Sequence, residues 1–184
     1  MTSHDDTPKK HLAPQLLLSK PETPVFHKIL VATDTSKVGK YVFRKALELA
    51  KSTGARLNVL HVLSPEESGC PDLNGYLRAF STEAFDQAEK HSQKLWEEFS
   101  QKCLHMVQTF TDEAKAVGVD TECCQVPGSP GVTICGVARN WEADLIVIGR
   151  HGHLSKLEEL VLGSASNYVL HHAPCDVFVV TRFY

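Results

Sequence analysis

The sequence predicts an α/β domain built on an open, mainly parallel sheet with helices on both faces. Three observations lead there: short continuous apolar runs, helical periods between them, and turn residues at the joins. The first run, Ile29-Leu30-Val31-Ala32-Thr33, is unbroken, which suits a strand covered on both faces. Val42, Ala46, Leu49 and Ala50 then make a helical stripe, with Ser36 as its N-cap and Gly54 as its stop. Leu57 to Leu63 is a second strand. Leu95, Phe99, Cys103, Met106, Phe110, Ala114 and Val117 step by three or four residues, predicting a long amphipathic helix ended at Gly118. Thr121 to Val126 is a weaker strand. Ser129-Pro130 reads as N-cap and first residue of a helix carrying Ile134, Ala138 and Trp141. Leu145 to Ile148 and Val177 to Val180 are the remaining strands, and a helix between them starts near Gly163 and runs through Tyr168 and Val169. Right-handed crossovers restrict such a chain to a few doubly wound topologies.

The 184 residues fit one domain, placed at 26–184, preceded by an N-terminal extension. Residues 1–25 hold four prolines and no sustained apolar period, and so read as mobile or loosely docked. The piece from Ser64 to about Leu77 contains Pro65, Gly69, Pro71 and Gly75, predicting a surface loop able to move over a site. A net charge of −3, with no stripe of Lys and Arg, argues against a nucleic-acid partner. No segment approaches the roughly 18 apolar residues of a membrane span, and no secretory signal is visible. The six cysteines form no C-x-x-C pair, so reduced thiols and a cytoplasmic location are the expectation. Cys123 and Cys124 should point to opposite faces of their strand. No metal site is expected, because His151-x-His153 and His171-His172 lack a clear third ligand. His61, inside a strand, should be a satisfied core histidine.

The chemically informative stretch runs from Ile148 to Ser166, beginning where a strand ends and finishing where a helix begins. Gly149 and Gly152 can take backbone angles closed to other residues and let a ligand approach the main chain. Gly163, Ser164 and Ala165 would present free N–H groups at a helix N-terminus, a ready anion site. Ser164 and Ser166 add hydroxyl donors. These are the parts a polyphosphate needs. In an open parallel sheet, ligands bind beyond the carboxyl ends of strands where the strand order reverses. Thr33-Asp34-Thr35-Ser36 follows the first strand and Gly149 the fourth, so neighbouring strands would bring both loops to one crevice.

These features resemble the universal stress protein family. The residues that carry the resemblance are Lys28 to Asp34, Leu60-His61-Val62, Gly128-Ser129-Pro130, Ala143 to Gly149, Gly163-Ser164, Asn167 to Leu170 and Ala173 to Val177. The resemblance implies a Rossmann-like fold of the adenine nucleotide alpha hydrolase type, strand order 3-2-1-4-5. It also implies a stress-response protein that is a homodimer and, in one branch, binds ATP through a Gly-x2-Gly-x9-Gly-Ser/Thr loop. On that pattern Asp34 and the backbone of Val62 would contact adenine, and Ala32 and Thr33 would flank the ribose. Ile148, Gly149, Arg150, Gly152, Gly163, Ser164, Ala165 and Ser166 would complete the site for ribose and phosphates. The cofactor implied is ATP, or ADP or AMP, with any Mg2+ held by the phosphates. This chain departs from the pattern by placing ten residues between Gly152 and Gly163, an extra residue that a bulge at 153–156 would absorb.

The bland readings stand beside these. Asp34 is also placed to cap the turn that follows it, and Lys37, Arg150 and His151 are also ordinary solvated charges. A Walker loop and a dinucleotide fingerprint are both missing. A phosphoryl-accepting receiver would want an acid after the third strand, where the chain reads Pro127-Gly128-Ser129. Three functions remain: a nucleotide-binding signalling module with an unknown protein partner, a slow ATPase or phosphotransferase, and a dimeric interaction protein that binds no nucleotide. No catalytic residue is assigned, because phosphoryl transfer needs a positioned metal and an oriented nucleophile that the sequence does not reveal. The apolar edge segment Asp176 to Thr181 is the expected dimer contact.

Overall fold

Apolar runs pair laterally and apolar helical stripes cover them, which fixes both the layers and the order of the elements. A computed structural model describes residues 25–67, 69–71, 82–150 and 163–181. In chain order the elements are β1 (Lys28–Thr33), α1 (Lys37–Thr53), β2 (Arg56–Leu63), α2 (Thr82–Ala116), β3 (Thr121–Pro127), α3 (Pro130–Trp141), β4 (Leu145–Gly149), α4 (Ser164–His172) and β5 (Asp176–Val180). The sheet is five-stranded in the order β3-β2-β1-β4-β5. Every pairing in it is parallel, with Leu30 opposite Asn58 on one side and Ile146 on the other.

Alternation along the buried strands divides the core in two. Ile29, Val31, Leu57, Val59, Leu145 and Val147 face α1 and α2, meeting Phe43, Ala46, Val107 and Phe110. Leu30, Leu60, Val62, Ile146 and Ile148 face α3 and α4, meeting Ile134, Ala138 and Val169. Cys123 packs with the first set and Cys124 with the second, as strand alternation requires. All six cysteines are free thiols. Among the described residues, no helix is long and apolar enough to cross a membrane.

Local chemistry sets the ends of the helices. The Ser36 hydroxyl accepts hydrogen bonds from the Val38 and Gly39 amides, and Gly54 ends α1 at φ 74°. Pro130 opens α3 behind Ser129, and Glu142 closes it in the left-handed region at φ 56°. The long helix α2 begins well before Leu95, at Thr82, and ends at Ala116. Its buried line includes Val107, which is absent from the predicted stripe, while Val117 lies beyond the helix end and is exposed. The first turns carry no apolar period from which a helix could be predicted. From Asp86 to Lys94 the side chains are charged or amide over most of the length.

The Phe43 and Phe110 rings stack with centroids 4.4 Å apart and planes 7° from parallel, joining α1 to α2 over the sheet. Phe110→Ala should therefore lower unfolding stability by about 3–5 kcal/mol, read from the urea midpoint at unchanged slope.

Candidate functional site

The strand order reverses between β1 and β4. The chain winds one way through β2 and β3 with α1 and α2 on one face, then crosses to β4 and β5 with α3 and α4 on the other. The loops leaving β1 and β4 therefore start side by side, at the carboxyl ends of the strands.

After β1 the chain turns sharply into α1. Asp34 Oδ1 accepts from the Ser36 amide at 3.0 Å and from the Ser36 hydroxyl at 2.5 Å, and that hydroxyl in turn caps the helix. The turn-capping role open to Asp34 is thus realised. Gly39 makes this turn possible. A Cβ there would lie 2.5 Å from Asp34 Oδ1 and 2.9 Å from the Asp34 nitrogen, and nearer still to its carbonyl oxygen. Thr33 is buried and its hydroxyl donates to the Leu60 carbonyl at 3.4 Å. Ala32 lies between Leu60 and Ile148 in register and packs toward α3 and α4. Val62, on the same face, is buried opposite Val126 on β3.

Ile148 is buried at the end of β4, and the Arg150 amide donates to the Val180 carbonyl at 2.9 Å. Gly149 does not use the backbone freedom that the sequence offers it. Its φ is not in the positive region, and it extends β4 opposite Val180. What excludes a side chain is α1, since a Cβ would stand 3.0 Å from Val42 Cγ2 and 3.5 Å from Val38 Cγ1. The same first turns of α1 therefore touch both the β1 loop and the end of β4. Gly152, His151 and the ten-residue spacing before Gly163 lie outside the described residues.

Gly163 is the N-cap of α4, in extended conformation and without a side-chain cap. The amides of the first turn are the ones a helix leaves without internal partners. Ser164 is exposed and Ala165 half-buried. Ser166 is buried, and its hydroxyl donates to the Gly163 carbonyl at 3.0 Å, so it holds the helix start together. Because α4 connects parallel strands, this N-terminus sits at the carboxyl end of the sheet.

One residue of this region is not singled out by the sequence. Glu67, in the loop after β2, accepts from the Thr35 amide and hydroxyl, both at 2.9 Å, and pairs with His61 Nε2 at 2.8 Å. Burial raises the Glu67 carboxyl, but the hydrogen bonds from His61 and Thr35 and the His61 charge outweigh it and hold the group below its usual range. His61 is fully buried, with Gln125 Nε2 3.3 Å from its Nδ1, and is a satisfied core histidine. The only sequence signal for Glu67 is the acidic pair Glu66-Glu67 in a segment expected to cover a site.

The universal stress protein family model matches residues 26–181. A universal stress protein of Synechocystis is 34% identical over 155 residues, covering 84% of this chain and 97% of the relative. Among solved structures, one from Lactobacillus plantarum is 26% identical with a TM-score of 0.54, covering 84% of this chain and 97% of that one. An Arabidopsis thaliana family member with AMP bound is 21% identical with a TM-score of 0.54, covering 85% of this chain and 92% of that one. The last likeness is one of fold.

Gly39→Ala should cost about 1–3 kcal/mol of stability, because the methyl group meets the Asp34 backbone, which cannot swing aside, as well as its carboxylate. Gly136→Ala, in open space on α3, should instead gain about 0.5–1 kcal/mol. Urea denaturation of the two variants checks both signs.

Proposed function

We propose that this chain, which belongs to the universal stress protein family, is a regulatory module binding an adenine nucleotide across the crevice between β1 and β4. The observation that carries the reading is the meeting of three features at one end of the sheet: the Asp34 turn, the close-packed end of β4, and the uncapped α4 N-terminus. The Arabidopsis relative with AMP supports the ligand class. In this reading Asp34 and the Val62 backbone recognise adenine, and Ala32, Thr33 and Ile148 border the ribose. Gly149, Arg150, Gly152, Gly163, Ser164 and Ala165 hold phosphates, with Ser166 keeping the α4 start in place. The α4 amides and the helix dipole supply positive potential for the phosphates. Any Mg2+ would be held by the phosphates and would neutralise their charge.

A regulatory role is favoured over a slow ATPase or phosphotransferase by how the nearby acids are used. Asp34 and Glu67 both accept hydrogen bonds from the chain itself, from Ser36, Thr35 and His61. The hydroxyls they hold are structural: that of Ser36 caps α1, and that of Thr35 ties the loop after β1 to the loop after β2. In this reading bound nucleotide biases a surface that a partner protein recognises. The chain acts as a homodimer through Asp176 to Thr181. Support for this comes from β5, which is the sheet edge and leaves Phe178 43% exposed.

Thermal unfolding with ATP, ADP or AMP tests the nucleotide reading. Ligand at 100 times Kd should add about 2.7 kcal/mol, and Gly163→Val should abolish the gain. No stabilisation by any of the three at millimolar concentration would favour the interaction protein that binds no nucleotide. Phosphate release over hours, lost in Gly163→Val, would favour the enzyme. Light scattering should give twice the 20.4 kDa chain mass, and Phe178→Lys should return it to the single-chain value.

A further inference from the structure

On the α2 side of β2 lies a buried polar cluster that the nucleotide reading leaves unused. It brings together an imidazole, a carboxylate and a thiol from three separate parts of the chain. His61 comes from β2, Glu67 from the loop after it, and Cys103 from the middle of α2. One ligand atom from each lies within 4.8 Å of the other two. His61 and Cys103 are fully buried, and the Glu67 side chain is 9% exposed. Among the described residues, no lysine or arginine forms an ion pair with Glu67, and His61 is its only ion partner. Thr35 and His61 hold this carboxylate in place beside the imidazole and the thiol.

We propose that His61 Nε2, a Glu67 carboxylate oxygen and Cys103 Sγ form a binding site for a divalent metal ion of the zinc type. The donor chemistry fits, because imidazole, carboxylate and thiolate are the ligands zinc takes in four-coordinate sites. Charge fits as well: one dication balances one carboxylate and one thiolate. Tetrahedral bonds of about 2.0–2.3 Å put ligand atoms about 3.3–3.7 Å apart. The 2.8 Å contact between His61 and Glu67 needs to open by only about half an ångström to reach that spacing.

The surroundings supply what a metal site needs beyond its ligands. Gln125 lies beside His61 Nδ1 and fixes the ring from behind; its Nε2 also donates to the Ser100 carbonyl, a bond that an amide rotation toward a metallated ring would exchange for one to the His61 N–H. On metal binding the His61 proton moves from Nε2 to Nδ1, and the Cys103 thiol proton leaves to solvent. Glu67 keeps its second oxygen on Thr35. Leu63 and Phe99 pack with Cys103, and Cys70 packs against them from the loop, so water takes the fourth position. The metal-free hydrogen bond between His61 and Glu67 then stands where the ion would sit.

The test uses the full chain, stripped with chelator and titrated with Co2+, a spectroscopic stand-in for zinc. One equivalent should bind and produce the near-ultraviolet charge-transfer band of a cobalt–thiolate bond. Cys103→Ala should abolish the band. Glu67→Gln, which preserves side-chain shape and removes the charge, should weaken binding at least about tenfold. His171→Ala with His172→Ala, an exposed pair on α4, should leave band and affinity unchanged. The proposal is overturned if the parent chain gives no thiolate band at stoichiometric Co2+, or if the band survives Cys103→Ala. Parent-like affinity in a folded Glu67→Gln variant overturns it too, whatever the fate of Cys103→Ala.

Discussion

Strand β1 has a parallel hydrogen-bonded neighbour on each side, β2 and β4, and the chain reaches them by crossovers on opposite faces. That constraint decides the rest. It buries Ile29, Leu30 and Val31 completely, because both faces of the strand are covered. It also puts α1 and α4 on opposite faces of the sheet although β1 and β4 are adjacent. A crevice is the geometric consequence. The contacts of Gly39 with the Asp34 turn and of Gly149 with Val38 and Val42 show how tightly α1 is seated at that opening.

The strands are legible because a strand covered on both faces cannot hide its composition, and the caps because Ser36, Gly54, Ser129 and Pro130 have narrow conformational uses. Other features depend on contacts across space. Gly149 reads in sequence as a position for unusual backbone angles and close ligand approach, yet its φ is ordinary and its lack of a side chain serves the approach of α1. Ser166 reads as a ligand donor, yet its hydroxyl closes on Gly163. Glu67 is one acid in a polar loop until the fold sets it between Thr35 and His61, which are 32 and 6 residues away. The first turns of α2 lack the apolar density that periodicity needs, so the stripe begins short of the helix start.

The same geometry connects the proposed nucleotide crevice with the proposed metal site. Glu67 grips Thr35, next to the Asp34 turn, with one oxygen and His61 with the other. The loop after β2 is thereby tied to the loop after β1 through a single carboxylate. A cation on His61, Glu67 and Cys103 would stiffen that tie and hold the floor of the crevice in one arrangement. Stiffening a segment that a ligand would otherwise have to order favours binding of that ligand.

Amide hydrogen exchange with and without ATP tests the convergence of the two loops most directly. Residues 34–36 and 163–166 lie far apart in sequence, so one small ligand protects both only if they line one pocket. The account predicts slower exchange in both segments at the same ATP concentration, with the exposed helix face around Gln108 unchanged. Protection confined to one segment, or centred on the β3 edge, would contradict it.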